Sequence, residues 1–165
     1  MKEIDGDIVE LSRRGMFEVI LQNCNCFCIQ GKGLAPIMNR HFNTLSFKME
    51  AQKYKGSMNK LGTIDYEHLY LEDGKNWTKY PDEMGEWTTH TMYVVNAYAQ
   101  YKLGKSLDYE ALTLCLRKIN HTFKGKKIGV PKIGAGISGG NWEKIRTIIE
   151  KELVDLQVII INYKR

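Results

Sequence analysis

The order and spacing of apolar segments predict an α/β sandwich, three layers deep, with a mixed central sheet and helices on both faces. Three observations carry that prediction. Short strand-length apolar runs alternate with stretches of helical periodicity. The last of those runs, Val158 to Ile161, is β-branched and fully apolar, as a buried central strand must be. Two glycine-rich segments each lie between a strand and a helix, where ligand loops sit in sheets of this kind. With 165 residues the chain can bury one continuous core, so residues 1–165 are read as one domain.

Taken in order, Ile4 to Leu11 reads as a short strand and turn. Phe17 to Cys24 is a strand. Gln30 to Gly33 breaks it, and a helix follows with Leu34, Ile37, Met38, His41, Phe42 and Leu45 on one stripe. Ile64 to Leu71 and Met92 to Tyr98 read as strands. The polar stretch between them holds Trp77, Tyr80 and Trp87 and reads as an irregular excursion. Asp108 to Phe123 is a helix with acids early and Arg117 and Lys118 late. Lys127 to Pro131 is a strand, and Trp142, Ile145, Ile148, Ile149 and Leu153 mark the last helix.

Composition excludes several classes. Hydrophobic residues make up 43% and charged residues 26%, ordinary for a globular protein. The formal net charge of +5 suits an anionic ligand but is too diffuse for the basic stripe of a nucleic-acid binder. No signal peptide and no membrane-spanning run is visible, so a cytoplasmic location and no membrane partner are expected. Cys24, Cys26 and Cys28 alternate and would face one way on a strand. Their spacing lacks the loop that paired metal ligands need, so buried reduced thiols are expected, with no metal and no cofactor.

The two glycine-rich loops carry the chemistry. In the first, Gly31-Lys32-Gly33-Leu34-Ala35 follows Asn23-Cys24-Asn25 at a strand end and opens a helix. Its glycines let the backbone approach a phosphate, and the helix N-terminus supplies free N–H donors. Asn25 is a short amide that both donates and accepts, as a ribose diol requires. Lys32 is either a phosphate contact or a solvated loop lysine. The second loop runs Pro131-Lys132-Ile133-Gly134-Ala135-Gly136-Ile137-Ser138-Gly139-Gly140. Four glycines among small residues can wrap a pyrophosphate with successive N–H groups. It is neither a P-loop nor a dinucleotide-binding fingerprint.

At these residues the chain resembles the macro-domain family of ADP-ribose-binding proteins. Gly6-Asp7-Ile8 matches an early element of that family, and the resemblance implies that Asp7 accepts from the adenine amino group with Ile8 beside it. It implies that Asn25 meets the distal ribose and that Ile133 to Gly139 embrace the diphosphate and that ribose. Asn162, after the last strand, falls where the family places residues beside adenine. Asn23-Cys24-Asn25-Cys26 ahead of Gly31-Lys32-Gly33-Leu34-Ala35 is similar to the ADP-ribose-1''-phosphate phosphatase branch. Gly139-Gly140-Asn141-Trp142-Glu143 and Val95-Asn96-Ala97-Tyr98-Ala99-Gln100 resemble small stand-alone members, many of them encoded by bacteriophages.

That resemblance implies a hydrolase acting at the distal ribose of an ADP-ribose derivative, with ADP-ribose-1''-phosphate the leading substrate. A non-catalytic reader of ADP-ribose, or a hydrolase of ADP-ribosylated protein or nucleic acid, are the alternatives. Asn25 is the one candidate catalytic residue, holding a water. Gln22 stands where the phosphatase type member has a His, so no general base is assigned. Ser138 replaces the Asp of the ester-hydrolase branch, and no Lys falls within Tyr93 to Gln100, so no covalent Lys adduct is expected. His41 and His121 read as structural, and His90 lies at a strand start, away from the ligand loops. Trp77, Tyr80 and Trp87 read as a local mini-core in preference to a stacking lid.

Overall fold

A computed structural model describes residues 1–47, 54–81, 90–136 and 138–163. Seven strands form one sheet in the order β1-β7-β6-β2-β5-β3-β4. They are β1 (Lys2–Gly6), β2 (Val19–Asn25), β3 (Ile64–Leu71), β4 (Trp77–Lys79), β5 (Thr91–Gln100), β6 (Lys127–Pro131) and β7 (Gln157–Tyr163). The five strands from β1 to β5 across the sheet pair in parallel, while β3 and β4 close one edge antiparallel. The expected mixed α/β sandwich is therefore present.

Helices cover both faces. We label them α1 (Ile8–Arg13), α2 (Leu34–Phe42), α3 (Thr44–Phe47), α4 (Tyr109–Thr122) and α5 (Trp142–Glu152). Strand alternation splits the core in two. Val19, Leu21, Val95, Ile128, Val130 and Ile160 pack against Leu112, Leu116, Ile119, Ile145 and Ile149 of α4 and α5. Ile20, Val94, Ile159 and Ile161 point the other way, onto Ile8, Val9 and Leu11 of α1 and Met38 and Phe42 of α2.

Three local readings are corrected. Residues 4–11 are not a strand and turn: β1 ends at Gly6, and Asp7 caps α1 by accepting from the backbone N–H of Val9 at 2.8 Å and Glu10 at 3.2 Å. One turn of helix is too short to show a period, so only the cap signalled it. The stripe that included Leu45 is broken, because Asn43 takes a left-handed conformation (φ 52°) and ends α2. The excursion after β3 contains a strand, β4, whose Trp77 is buried against Phe42 and His90 with ring centroids 6.0 and 5.4 Å apart. That contact supports the mini-core reading. Tyr80 stacks on His68 at 4.5 Å, and Trp87 lies outside the described residues.

The cysteines converge as expected, though not on one strand. Cys24 lies in β2, one residue before its end, Cys26 and Cys28 lie in the following loop, and all three pack around the buried Tyr98. Neither they nor Cys115 form a disulfide. Burial pushes the Cys26 thiol up to about 11 and Cys115 up to about 12, so neither is a thiolate at neutral pH. Among the described residues no helix is long and apolar enough to cross a membrane.

Candidate ligand-binding cleft

The two glycine-rich loops leave β2 and β6, which are neighbours in the sheet. Both emerge at the carboxyl ends of their strands, so tertiary structure places them face to face. Between them lies a cavity of about 250 Å³, with Asn25, Gly31, Lys32, Gly33, Leu34 and Ala35 on one wall. Ile133, Gly134, Gly136 and Ser138 form the other. A second, more apolar hollow of about 400 Å³ shares Gly33, Leu34 and Lys132 with it and continues over Ile8, Ile37, Ile161 and Tyr163. The two hollows adjoin at those three residues.

The first loop ends in an uncapped helix. Gly33 is the N-cap of α2, with φ 83°, and offers no side chain to the first-turn N–H groups. Three other helices, α1, α4 and α5, carry a side-chain cap. Asp7 caps α1, Asp108 accepts from Ala111 N at 3.0 Å at the start of α4, and Asn141 accepts from Lys144 N at 3.1 Å at the start of α5. No acid lies in the first turn of α2 either. The N–H groups at Leu34 and Ala35 therefore meet the cleft with the helix dipole behind them.

Asn25 also holds the first loop in shape. Its Oδ1 accepts from the backbone N–H of Phe27 (3.1 Å) and Ile29 (3.2 Å), and its Nδ2 donates to Ile29 O at 2.8 Å. These three bonds hold the loop in shape and leave one N–H proton of the side chain to offer. Asn25 lines the cavity, but as a brace of its wall. The second loop is braced through its own backbone, with Gly140 N bonded to Gly134 O at 2.7 Å and Leu107 N to Ser138 O at 3.3 Å. A β-carbon on Gly140 would stand 2.4 Å from Leu107 Cδ2 and 2.6 Å from Gly134 O, so glycine is required there.

Other expected residues fall at different distances from the cleft. Ala135 and Gly139 belong to the loop but line neither hollow, and Ile137 lies outside the described residues. Asp7 adjoins Ile8 at the edge of the apolar hollow, and its Oδ2 makes no hydrogen bond among the described residues. Asn162 lines neither hollow. It lies between Ile161 and Tyr163, which do, and strand alternation turns its side chain to the opposite face of the sheet. Tyr163, half exposed, lines the apolar hollow.

Sequence reading missed the floor. Gln22, Asn23 and Gln100 line the cavity beneath the loops. Asn23 Nδ2 donates to Gln100 Oε1 at 2.6 Å and to Ser138 Oγ at 3.2 Å, which ties β2, β5 and the second loop together. The only signal available was three amides at strand ends. No histidine lines the cleft. His90 bonds Ser12 O at 3.0 Å, at the end of the sheet away from the cleft, as expected for a strand start. Burial, with Arg13 and Arg40 nearby, lowers His41, and among the described residues no group of three His, Cys, Asp or Glu could hold a metal.

No protein-family model matches the sequence. Several solved structures share the fold. Thermosipho africanus DarTG in complex with ADP-ribose aligns at a TM-score of 0.69 and 19% identity, over 100% of this chain and 43% of that one. The macrodomain of Mycobacterium tuberculosis DarG aligns at a TM-score of 0.65 and 16% identity, over 97% and 95% of the two chains. The uncharacterized 17.5 kDa protein in the tk-vs intergenic region of Enterobacteria phage T4 is 30% identical over 168 residues, spanning 99% of this chain and 97% of that protein. The chain has the macrodomain fold and belongs to the same family as the phage T4 protein.

Proposed function

We propose that this protein binds ADP-ribose in the cleft and hydrolyses an ADP-ribose derivative at the distal ribose, with ADP-ribose-1''-phosphate as the leading substrate. The observation that carries the binding reading is the bare N-terminus of α2 facing the second glycine loop across one cavity. Backbone N–H groups on both walls suit a diphosphate, which would otherwise lose its hydration uncompensated. The apolar hollow over Ile8, Ile37, Ile161 and Tyr163 suits adenine, with Asp7 at its edge to accept from the exocyclic amine. The distal ribose then falls on the amide floor. The DarTG structure, which holds ADP-ribose, lends support through the shared fold.

Turnover in this reading uses no side-chain base. A water held by Asn25 and the loop attacks the 1''-phosphorus, the bond from phosphorus to the ribose 1''-oxygen breaks, a phosphate oxygen passes the water's proton to that leaving oxygen, and second-loop N–H groups stabilise the charge that develops. A non-catalytic reader is the second reading. It is favoured by one observation: the described residues that line the cavity offer amides, a hydroxyl, a thiol, two lysines, apolar groups and backbone, with no carboxylate and no imidazole. Phosphate release from ADP-ribose-1''-phosphate, with calorimetric binding of ADP-ribose alongside, separates the two. Tight binding with no release at high protein concentration leaves the reader. Release from an ADP-ribosylated protein or nucleic acid instead would move the substrate to a modified macromolecule.

A further inference from the structure

The formal charge of +5 is not spread evenly along the chain. Residues 26–35, 54–63 and 100–107 hold five lysines, Lys32, Lys55, Lys60, Lys102 and Lys105, and no Asp, Glu or Arg. Of the 24 Lys and Arg, 19 lie elsewhere and balance the 19 Asp and Glu, so these three segments carry the whole excess. They stand apart in the sequence, and the fold joins them. Gly56 N donates to Cys26 O at 2.9 Å, and the Tyr101 hydroxyl donates to Gly56 O at 2.8 Å. The Phe27 and Tyr101 rings meet at 5.2 Å. Leu103 packs on Gly31, where a β-carbon would stand 3.3 Å from its Cδ1, and the Lys105 side chain lies against Gly139 of the second loop.

Together they form one rim beside the cavity. Ile29, Gln100 and Leu103 line the cavity but not the apolar hollow, so the rim bounds the end of the cavity away from Ile161 and Tyr163. Lys32, Lys55, Lys102 and Lys105 are exposed, and none forms an ion pair among the described residues. Cations elsewhere do: Arg13, Lys79, Arg117, Lys132 and Arg146 each meet a carboxylate. Large apolar side chains share the rim with the lysines. Tyr54 is 61% exposed, Met58 59%, Leu103 46% and Ile29 45%. Unpaired cations of one sign raise a positive potential, and exposed apolar groups gathered on the same surface mark it for a partner.

We infer that this rim is a docking surface for single-stranded nucleic acid. Such a strand brings what the rim is missing: closely spaced negative charge, and flat faces free to stack. The lysines follow the phosphates, and Tyr54 stacks on a base. An acidic peptide supplies the charge, but its carboxylates bring no flat face to Tyr54. A duplex keeps its base faces inside the helix and meets the lysines alone. The inference does not rest on the ADP-ribose reading, because Tyr54, Lys55, Lys102 and Lys105 line neither hollow. A strand held here passes the cavity at Leu103, which belongs to both the rim and the cavity wall.

The test is fluorescence anisotropy of a labelled oligothymidylate of about 20 nucleotides, titrated with the whole protein. With four lysines on phosphates, log Kd should rise against log salt with a slope of roughly 2.8, which is about 50-fold between about 50 and about 200 mM salt. The double variant Lys102→Gln, Lys105→Gln should lower that slope by roughly 1.4. Tyr54→Ala should weaken binding roughly tenfold at every salt concentration and leave the slope alone. All these side chains are exposed, so melting temperatures should match wild type and show that the variants fold. ADP-ribose titrations run alongside should give wild-type affinity in both variants; they test the cleft separately. Wild type that leaves the oligonucleotide free at low salt overturns the inference whether or not ADP-ribose binds. A slope unmoved in the lysine variant, or full affinity in Tyr54→Ala, overturns it too. Polyglutamate or a duplex of matching length that competes as well as the single strand also overturns it, the former in favour of an acidic protein partner.

Discussion

Replacing Gly136 separates fold from ligand binding more cleanly than any other change in the cleft. Gly136 lines the cavity, and a β-carbon there would meet nothing within 4 Å. Its φ is not in the left-handed region, so a side chain strains nothing. Gly136→Gln and Gly136→Glu should both fold with melting temperatures close to wild type. Both place similar bulk in the cavity, but only Glu adds a charge beside the diphosphate. Two unit charges about 5 Å apart repel by about 3 kcal/mol at an effective dielectric of about 20. Gly136 is exposed at the cavity mouth, so solvent and salt should reduce this to about 1.5–2 kcal/mol. The Glu variant should therefore bind ADP-ribose roughly 10- to 30-fold more weakly than the Gln variant. Titration calorimetry at low and high salt reads the difference, which should narrow as salt rises. Equal affinities in the two variants, or affinities like wild type in both, would refute the placement of the diphosphate against this loop.

Three other changes probe separate parts of the argument. Asp7→Ala removes the α1 cap and should cost about 1 kcal/mol of stability, whereas Asp7→Asn keeps the cap. Both should weaken ADP-ribose binding, and full affinity in Asp7→Asn would remove Asp7 from the adenine site. Gly140→Ala should destabilise by about 1–3 kcal/mol, because the new methyl group meets Leu107, Ile145 and a backbone oxygen; an unshifted urea midpoint would contradict that packing. The third concerns pH. Burial, with Lys126 nearby, holds His68 below its usual 6.5, so the unfolded chain takes up the proton more readily. The stability tied to the neutral ring is complete above about pH 6.5 and is lost as pH falls through the depressed value. His68→Phe keeps an aromatic ring between Tyr80 and Tyr93 and should show a shallower fall in melting temperature from about pH 7.5 to about pH 5.5. Identical slopes in variant and wild type would show that His68 is not the group responsible.

Long periodic segments were legible in the sequence because their period repeats. The stripe of α4 and the β-branched run of β7 each offer several residues that agree. Short elements were not. The six residues of α1 and three of β4 are held by a cap and by a buried tryptophan, and neither feature has a period to read. Both glycine loops were visible because glycine in that density marks close backbone approach. Asn25 was legible as a site residue but not as a brace. Its three bonds to residues 27 and 29 depend on a turn in which Cys28 takes φ 56°, and that turn has no signature in residue type.

By itself the sequence determined the α/β layering, the two glycine-rich loops and the bare start of α2, since these depend on local periodicity and on where glycine stands. Tertiary structure decided that β2 and β6 lie side by side, which turns two loops more than a hundred residues apart into one cleft. It also decided the polarity of the floor. Gln22 and Asn23 are amides that can face either way, and side chains arriving from β3 and β5 turn them: Gln22 bonds Asn96, which bonds Asp65, and Asn23 bonds Gln100, which bonds the Lys102 and Gly104 carbonyls. A hydrogen bond has a direction, and in a buried network that direction is set by the group at the far end that can only accept.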